Sequence, residues 1–408
     1  MSIDTRKINK DEMYFSLKGD NFDGNVFAME AIEKGAKFSI VDDVEQKDIN
    51  DNILYVENSL KALQDLSNHH RSLFDTKVIG ITGSNGKTTT KNLIYSILSQ
   101  KYNVIKTKGN LNNHIGVPLS LLNIKDDIDV AIIEMGANHV GEIRRLCEIA
   151  MPDIGLITNY GYAHLEGFGS FEGVIKGKTE MYEYLTENYG HIILNNDDKL
   201  QVENCKGDLA VTYGNSKDSE FIFDYKKDNS SLKLKIDGYE FNSNLFGEYN
   251  FSNLASSITI GKFLDLSNKE IQEGLNKFLN DSNRSEILIF DTNKIYLDAY
   301  NANPTSMLAA ISNFENINNR VLILGDMFEL GEYTDQEHQK IVDFVTNKDY
   351  SKVYLVGDNF SKCNTDGEYF FKFSNTNELA KSDSFKNLKN MNILVKGSRG
   401  VKLETLFK

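Results

Sequence analysis

Cysteine and proline are scarce in this 408-residue chain, with three of each. Cys147, Cys205 and Cys363 stand at no metal-ligand spacing and read as free thiols of a reducing cytoplasm. No apolar run approaches the roughly 20 residues that span a bilayer, and the polar start MSIDTRKINKDE has no signal-peptide core. Basic residues are outnumbered, 45 Lys and Arg against 59 Asp and Glu, for a formal charge of −14. That balance argues against broad nucleic-acid binding, while local lysines and arginines can still hold an anionic nucleotide. The few prolines, beside abundant Asn, Lys and Ile, reflect base composition more than function. With 40% hydrophobic and 25% charged residues, the chain has the makings of two or three ordinary soluble domains.

What is present concentrates in Lys77–Thr90, KVIGITGSNGKTTT. A short apolar strand breaks into a loop of Gly83, Ser84, Asn85 and Gly86, followed by Lys87, Thr88, Thr89 and a helix. Residues without Cβ let backbone N–H groups close around a phosphate. The helix N-terminus adds partial positive charge and Lys87 a full one, and the Thr88 hydroxyl can ligate Mg²⁺. The spacing departs from GxxxxGK[ST], because Ile81 stands at the first glycine position and the nearest glycine is Gly80. A chance glycine-rich turn is the competing reading; a strand before, GKT within and a helix after weigh against it.

The remaining pattern is α/β. Strand-like runs alternate with helical ones through three segments, residues 1–75, 76–282 and 283–408. In the middle segment strands are expected at Val78–Thr82, Val130–Met135, Ile154–Thr158 and Ile192–Leu194, an alternation that favours a mostly parallel sheet. Residues Glu220–Asn244 suggest a small antiparallel insertion. Ligands of such sheets lie beyond the carboxyl ends of the strands. Glu134 and His164 follow consecutive strands there, and Glu134 suits Mg²⁺, which takes one or two carboxylates beside phosphate oxygens. Helix capping is the alternative for Glu134, and a structural histidine for His164. Asp298 and Asp326 end strands of the third segment, where they can close over a nucleotide or simply form turns.

These runs together resemble the ATP-dependent Mur ligases of bacterial cell-wall synthesis. The resemblance rests on TGSNGKTTTK (Thr82–Lys91), GNLNNHIGVPLSLL (Gly109–Leu122), EMGANHVGEI (Glu134–Ile143), TNYGYAHLEGFGS (Thr158–Ser170), DAYNANPTSM (Asp298–Met307), LGDMFELGE (Leu324–Glu332) and KGSRG (Lys396–Gly400), in that order. It implies a UDP-substrate domain, a central ATP-binding domain and a Rossmann-like C-terminal domain. The implied reaction moves the γ-phosphoryl group of ATP to the terminal carboxylate of UDP-MurNAc-tripeptide. The amine of D-Ala-D-Ala then displaces phosphate from the acyl phosphate, giving UDP-MurNAc-pentapeptide, ADP and phosphate in a cytoplasmic, monomeric enzyme.

Carried over by position, the resemblance makes Lys87, Glu134, His164 and Lys178 catalytic. Thr88 and Glu134 would hold one Mg²⁺, with His164 and a carbamylated Lys178 serving a second. Lys178 lies in VIKGKTEMY, and Lys176 is its rival there. Asn250 and Asn253 would contact adenine, although Tyr249 stands where the family often has His. Arg284 would reach the nucleotide phosphates, Asp298 the ribose, and Asn301 and Asn303 the closed site. Thr5, Arg6, Lys18 and Asp23 would serve the uridine diphosphate, in a domain that begins almost on Asp4-Thr5-Arg6. Asn110, Asn112, Asn113 and His114 would face the muramoyl peptide, and Ser398 and Arg399 the dipeptide or the stem. Glycine- and asparagine-rich turns are the bland reading of both loops. A sister ligase adding one amino acid, folylpolyglutamate synthase and an inactive nucleotide-binding paralogue are the alternatives; a nucleotide switch fails because Asn347-Lys348-Asp349-Tyr350 lacks NKxD spacing.

Overall fold

In a computed structural model, residues 1–225, 232–245, 247–279, 286–315 and 317–407 are described. The middle of the molecule is a seven-stranded parallel sheet. Its spatial order is Phe221–Ile222, Ala210–Gly214, His191–Asn195, Ile154–Ile157, Lys77–Thr82, Val130–Glu134 and Val104–Lys106. The three central strands are buried on both faces, which is why they read as continuous apolar runs rather than alternating ones. Helix Lys87–Leu98 covers one face with Phe251–Phe263 and Asn268–Lys277, through Leu93, Ile97, Leu254, Ile258 and Ile271. Helices Glu142–Ala150 and Phe171–Glu187 cover the other, through Ile143, Leu146, Val174 and Met181.

A smaller parallel sheet of Met13–Phe15, Phe38–Val41 and Ile53–Tyr55 precedes it. Helix Ser59–Ser72 leads out of that unit, its first turn capped by Asn58 Oδ1 accepting the Lys61 N–H at 2.8 Å, and packs on helices Gly116–Leu121 and Glu142–Ala150. After the central sheet comes a six-stranded one, ordered Glu286–Phe290, Asn293–Asp298, Asn392–Lys396, Arg320–Gly325, Lys352–Val356 and Phe370–Phe373. Its first pair is antiparallel and the rest parallel. One apolar cluster joins the two large sheets, running from Ile133 and Leu146 to Met307, Ile311 and Leu330.

Four strands at or next to a sheet edge escape the sequence pattern: Val104–Lys106, Ala210–Gly214, Phe221–Ile222 and Phe370–Phe373. Each has five residues or fewer and is only partly buried, so hydrogen bonding to the neighbouring strand rather than an apolar signature defines it. The expected insertion is antiparallel only over Asp224–Tyr225, Lys233–Ile236 and Tyr239–Asn242; Phe221–Ile222 joins the parallel sheet instead.

Candidate active site

The phosphate loop is built by close approach. Gly83 (φ +139°) and Gly86 (φ +83°) adopt backbone conformations that L side chains rarely take. A Cβ on Gly83 would sit 1.9 Å from Thr158 Oγ1, and one on Gly86 2.3 Å from Asn253 Oδ1. The neighbouring strand end clamps the loop. Thr158 Oγ1 and Asn159 Nδ2 donate to the Asn85 carbonyl at 2.5 and 3.0 Å, and Asn159 Oδ1 accepts the Asn85 N–H at 3.1 Å. Ser84 Oγ donates to the Gly161 carbonyl and accepts its N–H. The Lys87 ammonium lies across the loop, donating to the carbonyls of Gly83 at 2.6 Å and Ser84 at 3.3 Å.

Glu134 sits beside this loop, buried at the end of the next strand. Thr88 Oγ1 donates to its two carboxylate oxygens at 3.3 and 3.1 Å, Asn112 Nδ2 donates to Oε1 at 2.9 Å, and Lys91 Nζ lies 3.0 Å from Oε2. Burial pushes the carboxyl pKa up, but the charges of Lys91 and Lys87 and the bonds from Lys91 and Asn112 outweigh it and hold the group ionised below its ordinary range. Glu134 therefore caps no helix; Glu180 does that work for Glu142–Ala150, accepting the N–H groups of Gly141 and Arg144.

Lys178 and Lys176 part company on burial. Lys176 is exposed, whereas Lys178 is 1% exposed, with its ammonium 5.3 Å from the Phe168 ring centroid. Among the described residues Lys178 has no hydrogen-bonded acceptor. Desolvation, and then the Lys87 charge, drive its pKa far below that of an ordinary lysine, so the free amine is favoured. His164, in the left-handed region at φ +54°, faces the Glu329 carboxylate of the C-terminal unit through Nδ1.

A cavity of about 900 Å³ lies between the central and C-terminal units. The loop from Ser84 to Thr89 forms one wall, with Glu134 and His164 beside it. Asn110, Asn112, Asn113 and His114 line it on the side of the N-terminal unit, and Asn250 and Asn253 on the side of helix Phe251–Phe263. Asn253 Oδ1 accepts from Thr90 Oγ1 at 3.1 Å, and its Nδ2 donates to Asn250 Oδ1 at 2.9 Å. Asp298 and Asn301 close the cavity from the C-terminal unit.

Other expected site residues lie elsewhere. Asn303 does not line the cavity; it caps helix Pro304–Phe314, and its Nδ2 donates to Asn85 Oδ1 at 2.7 Å, tying the C-terminal unit to the phosphate loop. Asp326 turns away to accept the N–H groups of Asn359 and Phe360, so here the turn-forming alternative holds. Ser398 is buried, accepting the Phe328 N–H, and Arg399 is exposed over the Tyr300 ring; neither is part of the cavity wall. Thr5 donates to Glu30, Arg6 grips Asp4 with two bonds, and Lys18 lies between Asp23 and Asp42, all within the N-terminal unit and off the cavity. Arg284 lies outside the described residues.

Several residues of the site were not singled out from sequence. Lys91 shares a helix face with Thr88, three residues apart, a spacing that gave a usable signal. Lys396 pairs in register with Asp298 on the neighbouring strand, its Nζ 2.5 Å from Oδ2, and that pairing is invisible without the sheet. Asn159, Glu329 and Arg145 likewise reach the cavity only through tertiary packing.

Comparison with known proteins agrees with this architecture. Residues 1–71 match the Mur ligase family catalytic domain, 81–261 the Mur ligase middle domain, and 283–398 the Mur ligase glutamate ligase domain. The UDP-N-acetylmuramoyl-tripeptide–D-alanyl-D-alanine ligase of Bacillus subtilis is 33% identical over 423 residues, covering 100% of this chain and 92% of the relative. The structure of UDP-N-acetylmuramoylalanyl-D-glutamyl-2,6-diaminopimelate–D-alanyl-D-alanyl ligase from Acinetobacter baumannii superposes with a TM-score of 0.86 at 29% identity, covering 99% of this chain and 91% of that one. MurF ligase from Thermotoga maritima, in complex with ADP, gives a TM-score of 0.88 at 26% identity, over 99% and 95% of the two chains. On sequence along its whole length, on fold and on the build of its phosphate loop, the chain belongs to the Mur ligase family.

Proposed function

We propose that this protein is an ATP-dependent ligase joining D-Ala-D-Ala to UDP-MurNAc-tripeptide. The observation that carries the reading is one cavity walled by the phosphate loop, by Glu134 and by Asp298 from a separate unit, in a chain alike over its full length to ligases named for that reaction. A carboxylate is a poor electrophile, and phosphorylation supplies its leaving group. Lys87 and the N-terminus of helix Lys87–Leu98 balance the charge of the transferring phosphoryl group. Asp298, held by Lys396, would take the ribose hydroxyls, and the asparagines and His114 of the 110–114 loop would face the muramoyl peptide. Closure of the central and C-terminal units would align the reactants and exclude water that would hydrolyse the acyl phosphate.

The donor set fits magnesium. Thr88 and Glu134 offer a hydroxyl and an ionised carboxylate within 3.3 Å of each other, and among the described residues no cluster of three His, Cys, Asp or Glu competes. That is the sparse protein contribution expected of an ion completing its shell with phosphate oxygens and water. Thr88 and Glu134 would hold it, with His164 and Lys178 near a second, and bound Mg²⁺ would neutralise phosphate charge. A buried amine such as Lys178 suits carbamylation, because only the free base attacks CO₂. The three cysteines are free, and among the described residues no helix is long and apolar enough to cross a membrane; a cytoplasmic, monomeric enzyme is part of the proposal.

The test is phosphate release from ATP and Mg²⁺ with UDP-MurNAc-tripeptide, with and without D-Ala-D-Ala. Release that requires the dipeptide, with a pentapeptide product by mass, is the expected outcome. Turnover only with single amino acids, or with dihydrofolate and glutamate, would move the chain to a sister activity.

A further inference from the structure

Among the described residues, three Lys or Arg side chains line the cavity: Lys87, Arg145 and Lys396. Lys87 lies on the phosphate loop and Lys396 is locked on Asp298. Arg145 is placed differently. Its Nη2 donates to the neutral Oε1 of Gln64 at 3.1 Å, and its Nη1 lies 3.4 Å from Glu148, one helical turn away and 43% exposed. A solvated ion pair of this kind holds an arginine weakly. Gln64 is buried, and its Nε2 donates to the His114 carbonyl at 3.0 Å. A buried amide of the N-terminal unit thus fixes the guanidinium from one side, and the group borders the cavity on another.

These contacts give the cavity a direction. Thr88, Glu134 and Asn112 mark the phosphate end. His114 follows two residues after Asn112, and Gln64 links it to Arg145. On the ligase reading, on which this inference rests, the activated carboxylate lies at the phosphate end and the nucleotide-sugar on the N-terminal unit. The peptide stem between them passes Arg145. Stem amides are neutral, and a guanidinium fork selects a carboxylate through paired N–H···O bonds.

We propose that Arg145, oriented by Gln64, binds a carboxylate of the peptide stem other than the one activated. In a stem of alanyl, D-glutamyl and 2,6-diaminopimelate residues, that carboxylate belongs either to the glutamyl residue or to the side chain of the third residue. The test compares full-length wild type, Arg145→Met and Arg145→Lys on three UDP-MurNAc-tripeptides: the diaminopimelate form, the lysine form, and one with the free glutamyl carboxylate amidated. Arg145→Met should raise KM for the diaminopimelate form about 10- to 100-fold, as expected for a lost charge-assisted bond. KM for ATP and D-Ala-D-Ala should be unchanged, and Arg145→Lys should recover part of the loss. Wild type should lose a similar factor on whichever substrate lacks the partner carboxylate, with no further loss in Arg145→Met, and that substrate identifies the source. An active wild type with Arg145→Met within about twofold on all three would overturn the inference alone. A wild type that needs no dipeptide would overturn the ligase reading and this inference with it.

Discussion

Two lysines do opposite work through their surroundings. Lys87 lies on the carbonyls of the phosphate loop, whereas Lys178 is buried and favours the free amine. Lys87→Ala should lower kcat about 100- to 1000-fold, the range for removing one preorganised group from a transition state, with an unchanged melting temperature; unaltered turnover would refute the phosphate-loop assignment. Lys178→Ala should be severely impaired and partly rescued by small carboxylates, and ¹³C-bicarbonate should give wild type a carbamate NMR signal that the variant lacks. Residue types were readable in the sequence at both positions. Burial was not, and burial is what separates Lys178 from its exposed rival Lys176.

Among the elements, the loop from Asp326 to Glu332 depends on a histidine outside it. His338 is fully buried; its Nδ1 donates to the Thr334 carbonyl at 2.7 Å, and its Nε2 accepts the Met327 N–H at 3.0 Å. That pattern requires the neutral ring. Burial depresses its pKa below the ordinary 6.5, against the opposing pull of the Thr334 bond and of Asp326, Asp335 and Glu337. Below about pH 6.5 the unfolded chain takes up a proton that the folded chain refuses, so stability falls from there down through the folded pKa and then levels. Thermal melts from pH 7.5 to 5 should show this loss in wild type, and a shallower one in His338→Gln. The strand–helix alternation that carries this loop was legible from apolar periodicity. The short edge strands were not, because pairing alone defines them.

The whole molecule brings its units together over the site. Asn303 and Asn85 exchange amide hydrogen bonds, at 2.7 Å and 3.4 Å. Thr305 Oγ1 accepts the Tyr162 N–H at 3.0 Å, Tyr333 donates to the Gly169 carbonyl at 3.3 Å, and His164 faces Glu329. Asn303→Ser should keep the helix cap but lose the amide pair, since serine also caps well. At about 1 kcal/mol for such a bond, KM for ATP should rise about fivefold. Small-angle scattering should report a broader spread of domain separations than in wild type; identical profiles with unchanged KM would show that the pair does not hold the units closed.

The sequence by itself determined the chemistry that local order can encode. A strand, two glycines, a lysine, a threonine and a helix must follow one another for backbone N–H groups to gather round phosphate, and strand-end Glu134 falls on the same edge by the geometry of parallel sheets. Tertiary structure decided the rest, because contacts such as Lys91 with Glu134, Lys396 with Asp298 and Gln64 with Arg145 span 43, 98 and 81 residues of chain. It also turned Asp326 and Ser398 into supports for neighbouring loops. A side chain's charge is written in the sequence, but whether it meets a ligand, a partner or water depends on which distant segment folds against it.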